Sequence, residues 1–203
     1  AIEAYLALGK RNKISYAQRD IARMYDVKKM SDSALHYYKE ACHTALNDND
    51  SIRHDEIFSE MGGFLYKRGN LSEAKRILKQ MELSGHIRNK AHIYSILGHL
   101  YDDLQSWDSS YLYKTKVLEH GSMDKVYSSY VGLSLLEQKK GNPEKAVRYL
   151  RLAVKLNDSI QRTTQTEAIA KINALYNYQH TEAENARLAL EKEKQKNWIF
   201  VMM

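Results

Sequence analysis

The sequence predicts an all-α chain, an α-α superhelix of stacked antiparallel helix pairs ending in one long C-terminal helix. Three observations carry that prediction. Only one Pro and nine Gly stand in 203 residues, too few breakers for sheets and long loops. A pattern of small and large residues at helical spacing recurs four times along the chain. Turn chemistry, such as Gly69-Asn70 and Gly141-Asn142-Pro143, falls between the halves of the copies, with Pro143 where a first helical turn tolerates it. The fifteen Tyr against three Phe suit a thin, two-layer fold, where many rings are packed while their hydroxyls stay wet.

The elements follow in chain order. Residues 1–14 open with Ala1 to Gly9, read as a helix stopped by Gly9 and expected to be the remnant of a preceding repeat. Residues 15–158 hold four repeats. The first carries Ile21-Ala22, Tyr25, Ala34, Tyr38 and Ala41; the second carries Met61-Gly62, Leu65, Ala74, Leu78 and Met81. The third has Leu97-Gly98, Tyr101, Ser110 and Val117, and the fourth Leu133-Ser134, Ala146, Leu150 and Ala153. From Ala22 to Gly62, Gly98 and Ser134 the spacings are 40, 36 and 36. A small residue there lets the second helix of a pair approach the first. Ala34, Ala74, Ser110 and Ala146 do the same from the other side, and the large residues fill the space between. The helix pairs are predicted at 15–28/31–46, 54–68/71–84, 90–104/107–119 and 124–140/143–157, following a right-handed superhelical path. Asn47-Asp48-Asn49-Asp50 and Asn157-Asp158-Ser159 read as helix-end and N-cap punctuation.

Residues 159–196 contain no Pro or Gly and form a predicted capping and linker helix. Ile169, Ile172, Tyr176, Gln179, Ala183, Ala186 and Leu190 alternate at three and four residues, a weak apolar stripe. Ile169, Ile172 and Leu175 are expected to pack on the last repeat, because a solenoid end otherwise exposes its core. The stripe over 169–190 also allows a homodimer. Farther along, Glu184–Arg187, Glu191–Lys194 and Glu193–Lys196 support a helix that stands alone in water. Residues 197–203 bring the apolar run Trp198 to Met203. It reads either as the start of a transmembrane helix or as a short tail docking on a neighbour.

Composition and motifs exclude several functions. The net charge of +6 is built from interspersed signs, which points to a solvated surface and away from direct nucleic-acid binding. There is no P-loop, dinucleotide fingerprint, zinc-protease motif or Cys cluster, so no catalytic or cofactor site is expected. His36/His43 and His92/His99 are seven residues apart, about 10 Å along a helix, too far for one metal ion. The Asn47–Asp50 run lacks the Gly and bidentate Glu of a calcium loop. Cys42, the single cysteine, reads as a core thiol. The chain is therefore expected not to be an enzyme.

The four copies resemble the tetratricopeptide repeat (TPR) family over residues 15–157. In that signature a small residue follows a large one, an aromatic comes three further on, and then Ala and a second aromatic. The sequence departs from it at Lys114 and Glu137, which stand at aromatic positions, and in lacking the Pro after each second helix. The run Ala174 to Gln179, followed by Glu182, Glu184 and Asn185, is similar to the linker helix of bacterial membrane-bound TPR regulators. That resemblance implies the sensing region of a signalling or transcription regulator. It would lie on the periplasmic side of an inner membrane, anchored through residues after Trp198; a cytoplasmic placement is the alternative.

The TPR resemblance also implies that ligands lie along the first helix of each pair. Helical phase then puts Tyr16, Arg19, Arg23, Tyr66, Lys67, His92, His99 and Asp102 in one groove. Their rings, cations and imidazoles suit a protein or peptide segment. The competing reading is a soluble TPR adaptor that self-associates through its C-terminal helix without signalling output.

Overall fold

A computed structural model describes residues 13–87 and 90–202. The helix expected over 1–9 lies outside them. Among the described residues there are eight helices and no strand. They are α1 (Ile14–Val27), α2 (Ser31–Asn47), α3 (Ser51–Lys67), α4 (Leu71–Leu83), α5 (Ala91–Asp103), α6 (Trp107–His120), α7 (Met123–Lys139) and α8 (Pro143–Met202). Each predicted pair is present, and the architecture is a TPR-like α-α superhelix with a long C-terminal helix. Within it α1 packs on α2, α3 on α4 and α5 on α6, while α2 meets α3, α4 meets α5 and α6 meets α7. First helices also touch directly, α3 against α5 and α5 against α7.

The small residues sit where the helices cross. Ala22, Ala34 and Ala74 are fully buried. A Cβ on Gly62 would come within 3.0 Å of Ile77 Cγ2 and 3.1 Å of Leu78 Cδ2, so a methyl there would push those side chains aside by a few tenths of an ångström between α3 and α4. In the third and fourth pairs hydroxyls take over. Ser110 Oγ lies 3.0 Å from the Gly98 carbonyl, and Ser134 Oγ donates to the Ala146 carbonyl at 2.9 Å. Around these crossings Ile57, Ile77, Leu78, Ile93, Leu97 and Leu100 form the core.

Five connections share one conformation. In each, a residue in the left-handed region follows the helix: Lys29, Asn49, Gly69, Gln105 and Gly141, with φ between 55° and 79°. The next residue's amide then bonds back five residues, as in Met30 N to Tyr25 O and Ser106 N to Tyr101 O, at 2.9 and 2.8 Å. This closes the helix end in the manner of a Schellman turn. The glycines announce it in the sequence; Lys29 and Gln105 do not. Asp50 and Asn70 then cap α3 and α4, accepting from Arg53 N at 2.9 Å and Glu73 N at 3.3 Å. Thus the Asn47–Asp50 run is punctuation, as expected.

One expectation about the C-terminal region is corrected. Asn157-Asp158-Ser159 does not end a helix, because α8 runs through it without interruption. No Gly or Pro follows Pro143, and among the described residues no left-handed residue occurs there to reverse the chain. Ile169, Ile172 and Leu175 are 60%, 66% and 58% exposed. The chain divides into two compact units, Ala1–Ala153 and Val154–Met203. The first holds α1 to α7 and the start of α8. The second is the rest of α8, whose Thr163 and Thr164 hydroxyls bond back to carbonyls one turn earlier. Among the described residues no helix is long and apolar enough to cross a membrane.

Candidate functional site

The first helices present a stripe at spacings of four, three and four residues. On α3 it comprises Glu56, Glu60, Gly63 and Lys67, and on α5 it comprises His92, Ile96, His99 and Asp103. Two adjoining depressions lie along it. One, of about 410 Å³, is lined by Arg23, Asp26, Tyr38, Glu60, Gly63, Phe64, Tyr66, Lys67, His92, Ile96 and His99. The other, of about 530 Å³, is lined by Ile52, Glu56, Ser59, Glu60, His86, Ile87 and His92. Glu60 and His92 belong to both.

Of the eight residues expected in one groove, five come together: Arg23, Tyr66, Lys67, His92 and His99. The other three are not among the residues lining these two depressions. Tyr16 lies with the Arg19 and Arg53 guanidinium carbons each 4.7 Å from its ring centroid, outside both depressions. Arg19 is held by Asp20 at 3.0 Å and does not line the groove. Asp102 points its carboxylate to Lys114 Nζ at 2.7 Å and accepts from Ser110 Oγ at 2.5 Å. It neutralises an interior cation and is not among the residues lining either depression.

The sequence reading missed Glu60, Ile96 and Phe64. Helical phase locates a solvent-facing side only to within about one residue, a rotation of about 100°. Glu60 is the hinge of the site. It accepts a two-pronged contact from Arg23, Nε at 3.0 Å and Nη2 at 2.6 Å, which ties α1 to α3. Thirty-seven residues separate this pair, and the same separation recurs where Tyr66 donates to Asp103 Oδ2 at 2.9 Å, tying α3 to α5. Arg68 pairs with Asp26 across the first two pairs. Arg23 is therefore not a free cation waiting for a carboxylate. Among the described residues, Lys67 has no ion pair.

Titration behaviour follows from this packing. Burial, followed by the Asp103 hydrogen bond, pushes the Tyr66 phenol up to about 12, so it stays a donor. His92 is shifted downward, first by desolvation and then by Lys125, with Glu60 opposing. Desolvation also lowers His99, with Lys114 acting in the same direction and Asp102 and Asp103 opposing. Two imidazoles biased to the neutral form offer both a donor and an acceptor to a bound chain. Cys42 is buried, and desolvation followed by Asp55 raises its thiol to about 12, which leaves no thiolate for chemistry. Among the described residues no cluster of His, Cys, Asp and Glu could hold a metal ion.

No family model matches the chain, and no curated protein matches it. Among solved structures it is similar to BtubC (BKLC) from P. vanneervenii, with 14% identity over 74% of this chain and a TM-score of 0.64. The match spans 66% of that protein, just under two thirds of its length. It is also similar to MamA, with 16% identity over 79% of this chain and 96% of that one, at a TM-score of 0.51. At these identities the likeness speaks to the fold, a TPR-like array of helix pairs.

Proposed function

We propose that this chain is a protein-interaction scaffold whose first helices hold an extended peptide segment. The observation that carries the reading is the pair of adjoining depressions along α3 and α5. Their walls alternate apolar surface, from Phe64 and Ile96, with hydrogen-bonding groups from Tyr66, Lys67, His92 and His99. Such walls suit side chains and backbone amides of an unfolded segment. The test is capture of partners by the wild type and by an Arg23→Ala, Tyr66→Ala double variant with helicity checked by circular dichroism. Loss of partners by the variant is expected; equal recovery counts against the groove.

In the same proposal the scaffold is the sensing region of a membrane-tethered bacterial signalling or transcription regulator, facing the periplasm. The continuity of α8 from Pro143 to Met202 supports it, since a helix transmits a shift that a flexible tether loses. The apolar run from Trp198 in the sequence supports the tether. A Gly-Gly insertion at Asn185 in the full-length protein should abolish signalling, and unchanged output rejects the coupling.

The exposure of Ile169, Ile172 and Tyr176 favours a second reading, a soluble adaptor that self-associates along 169–190. Gln179, Ala183 and Ala186 bury little area, so that dimer is weak. Sedimentation should show a concentration-dependent dimer lost in Ile172→Glu, and a monomer at all concentrations rejects it.

A further inference from the structure

Gly62 and Gly63 stand side by side in the middle of α3, where glycine weakens a helix. The two face different neighbours. A Cβ on Gly62 would press into Ile77 and Leu78 at 3.0 and 3.1 Å, whereas one on Gly63 would meet only the Ile96 Cδ1 methyl, at 3.1 Å. Gly63 thus faces α5, where α3 touches it directly. Its missing side chain opens the depression that Phe64, Ile96 and Tyr38 line.

The charges around that opening are mostly spent. Arg23 is held by Glu60, Asp26 by Arg68, and Asp103 receives the Tyr66 hydroxyl. Among the described residues this leaves two exposed lining charges without an ion pair, Lys67 and Glu56. They share one face of α3 with Gly63 between them. At 1.5 Å per residue, Lys67 lies about 6 Å from Gly63 and Glu56 about 10 Å the other way. An extended chain advances about 3.3 Å per residue, so those intervals are about two and three residues of a bound segment.

We infer that the groove selects an extended segment with one large apolar side chain seated over Gly63, an acidic residue about two positions toward Lys67, and a basic residue about three positions toward Glu56. This rests on the peptide-binding reading and adds the order of the side chains it accepts. Gly63 sets the size of the apolar anchor, and the two end charges set the orientation of the segment. Rim charges of this kind act on partner choice and direction more than on total affinity.

A random dodecapeptide display library panned against the full chain tests the inference. Enriched peptides should carry the basic–apolar–acidic order at those spacings. Gly63→Leu, which fills the seat and favours the helix, and Lys67→Glu, on the exposed surface, should each weaken a selected peptide about tenfold. Lys67→Glu should also enrich a basic residue where the wild type takes an acidic one. Selected peptides that bind both variants as tightly as wild type, yet lose the Arg23→Ala, Tyr66→Ala variant, overturn the side-chain order and leave the groove standing. A library with no enriched peptide overturns the groove reading and this inference together.

Discussion

Lys114 sits at a position where the repeat pattern calls for an aromatic, and the structure places it inside the array with 4% of its side chain exposed. Its stem runs over two glycines. Gly98 would bring a Cβ within 3.2 Å of Lys114 Cγ, and Gly132 would bring one within 2.7 Å of Cε. Its ammonium reaches Asp102 Oδ2 at 2.7 Å, and Asp102 keeps 31% of its side chain in solvent. The asymmetry decides what mutation does. Asp102→Asn strands a buried cation with no countercharge. Removing one partner of a buried pair costs about 3–5 kcal/mol, and water reaching the open Asp102 side lowers the expected loss to about 2–3 kcal/mol. Lys114→Met keeps most of the stem's packing, removes the desolvated charge, and leaves Asp102 to Ser110 and water, so a change within about 1 kcal/mol is expected. The double variant should recover most of the Asp102→Asn loss. Urea unfolding followed by helical circular dichroism measures all three. If Lys114→Met costs more than Asp102→Asn, the cation is held by the packing of its own amine and the reasoning fails.

Two further predictions concern stability. Lys29→Gly and Gln105→Gly should each raise it, because a left-handed residue with a Cβ is strained by about 1–2 kcal/mol while glycine's extra chain entropy returns about 0.5–1. Thermal unfolding checks this, with Gly69→Ala, at φ 79° and with nothing within 4 Å of its Cβ, expected to lose about 1 kcal/mol by strain alone. The second prediction is an acid limb. Burial raises the Glu82 carboxyl, but hydrogen bonds from Lys116, Lys79 and Tyr113 outweigh it and hold the group at about 2. Because the folded value lies below the ordinary one near 4.5, this stability is complete above about pH 4.5 and is lost as pH falls toward 2. Glu82→Gln should flatten that part of the stability curve, and an unchanged slope there refutes the assignment.

The pair boundaries were legible because close approach of two helices permits few residues. Ala22, Gly62, Gly98 and Ser134 could be located by what they lack. Features that depend on a third element were not legible. Gly132 belongs to the fourth pair yet makes room for Lys114 of the third, so neither residue alone predicts the seat. Lys29 and Gln105 adopt the left-handed turn because the helices on both sides fix the path, overriding a residue preference. Groove phase was legible only in part, for another reason. Periodicity finds the buried face of a helix, and the opposite face is known only to within a residue or so, enough to miss Glu60. The C-terminal helix shows the same limit on a larger scale. Ile169, Ile172 and Tyr176 announce that apolar surface at helical spacing wants a partner. A packed last repeat, a second copy and a membrane-proximal neighbour all satisfy that demand equally in sequence. Each of the three is more than half exposed along the helix, so the choice among these partners turns on association and not on the helix's own folding.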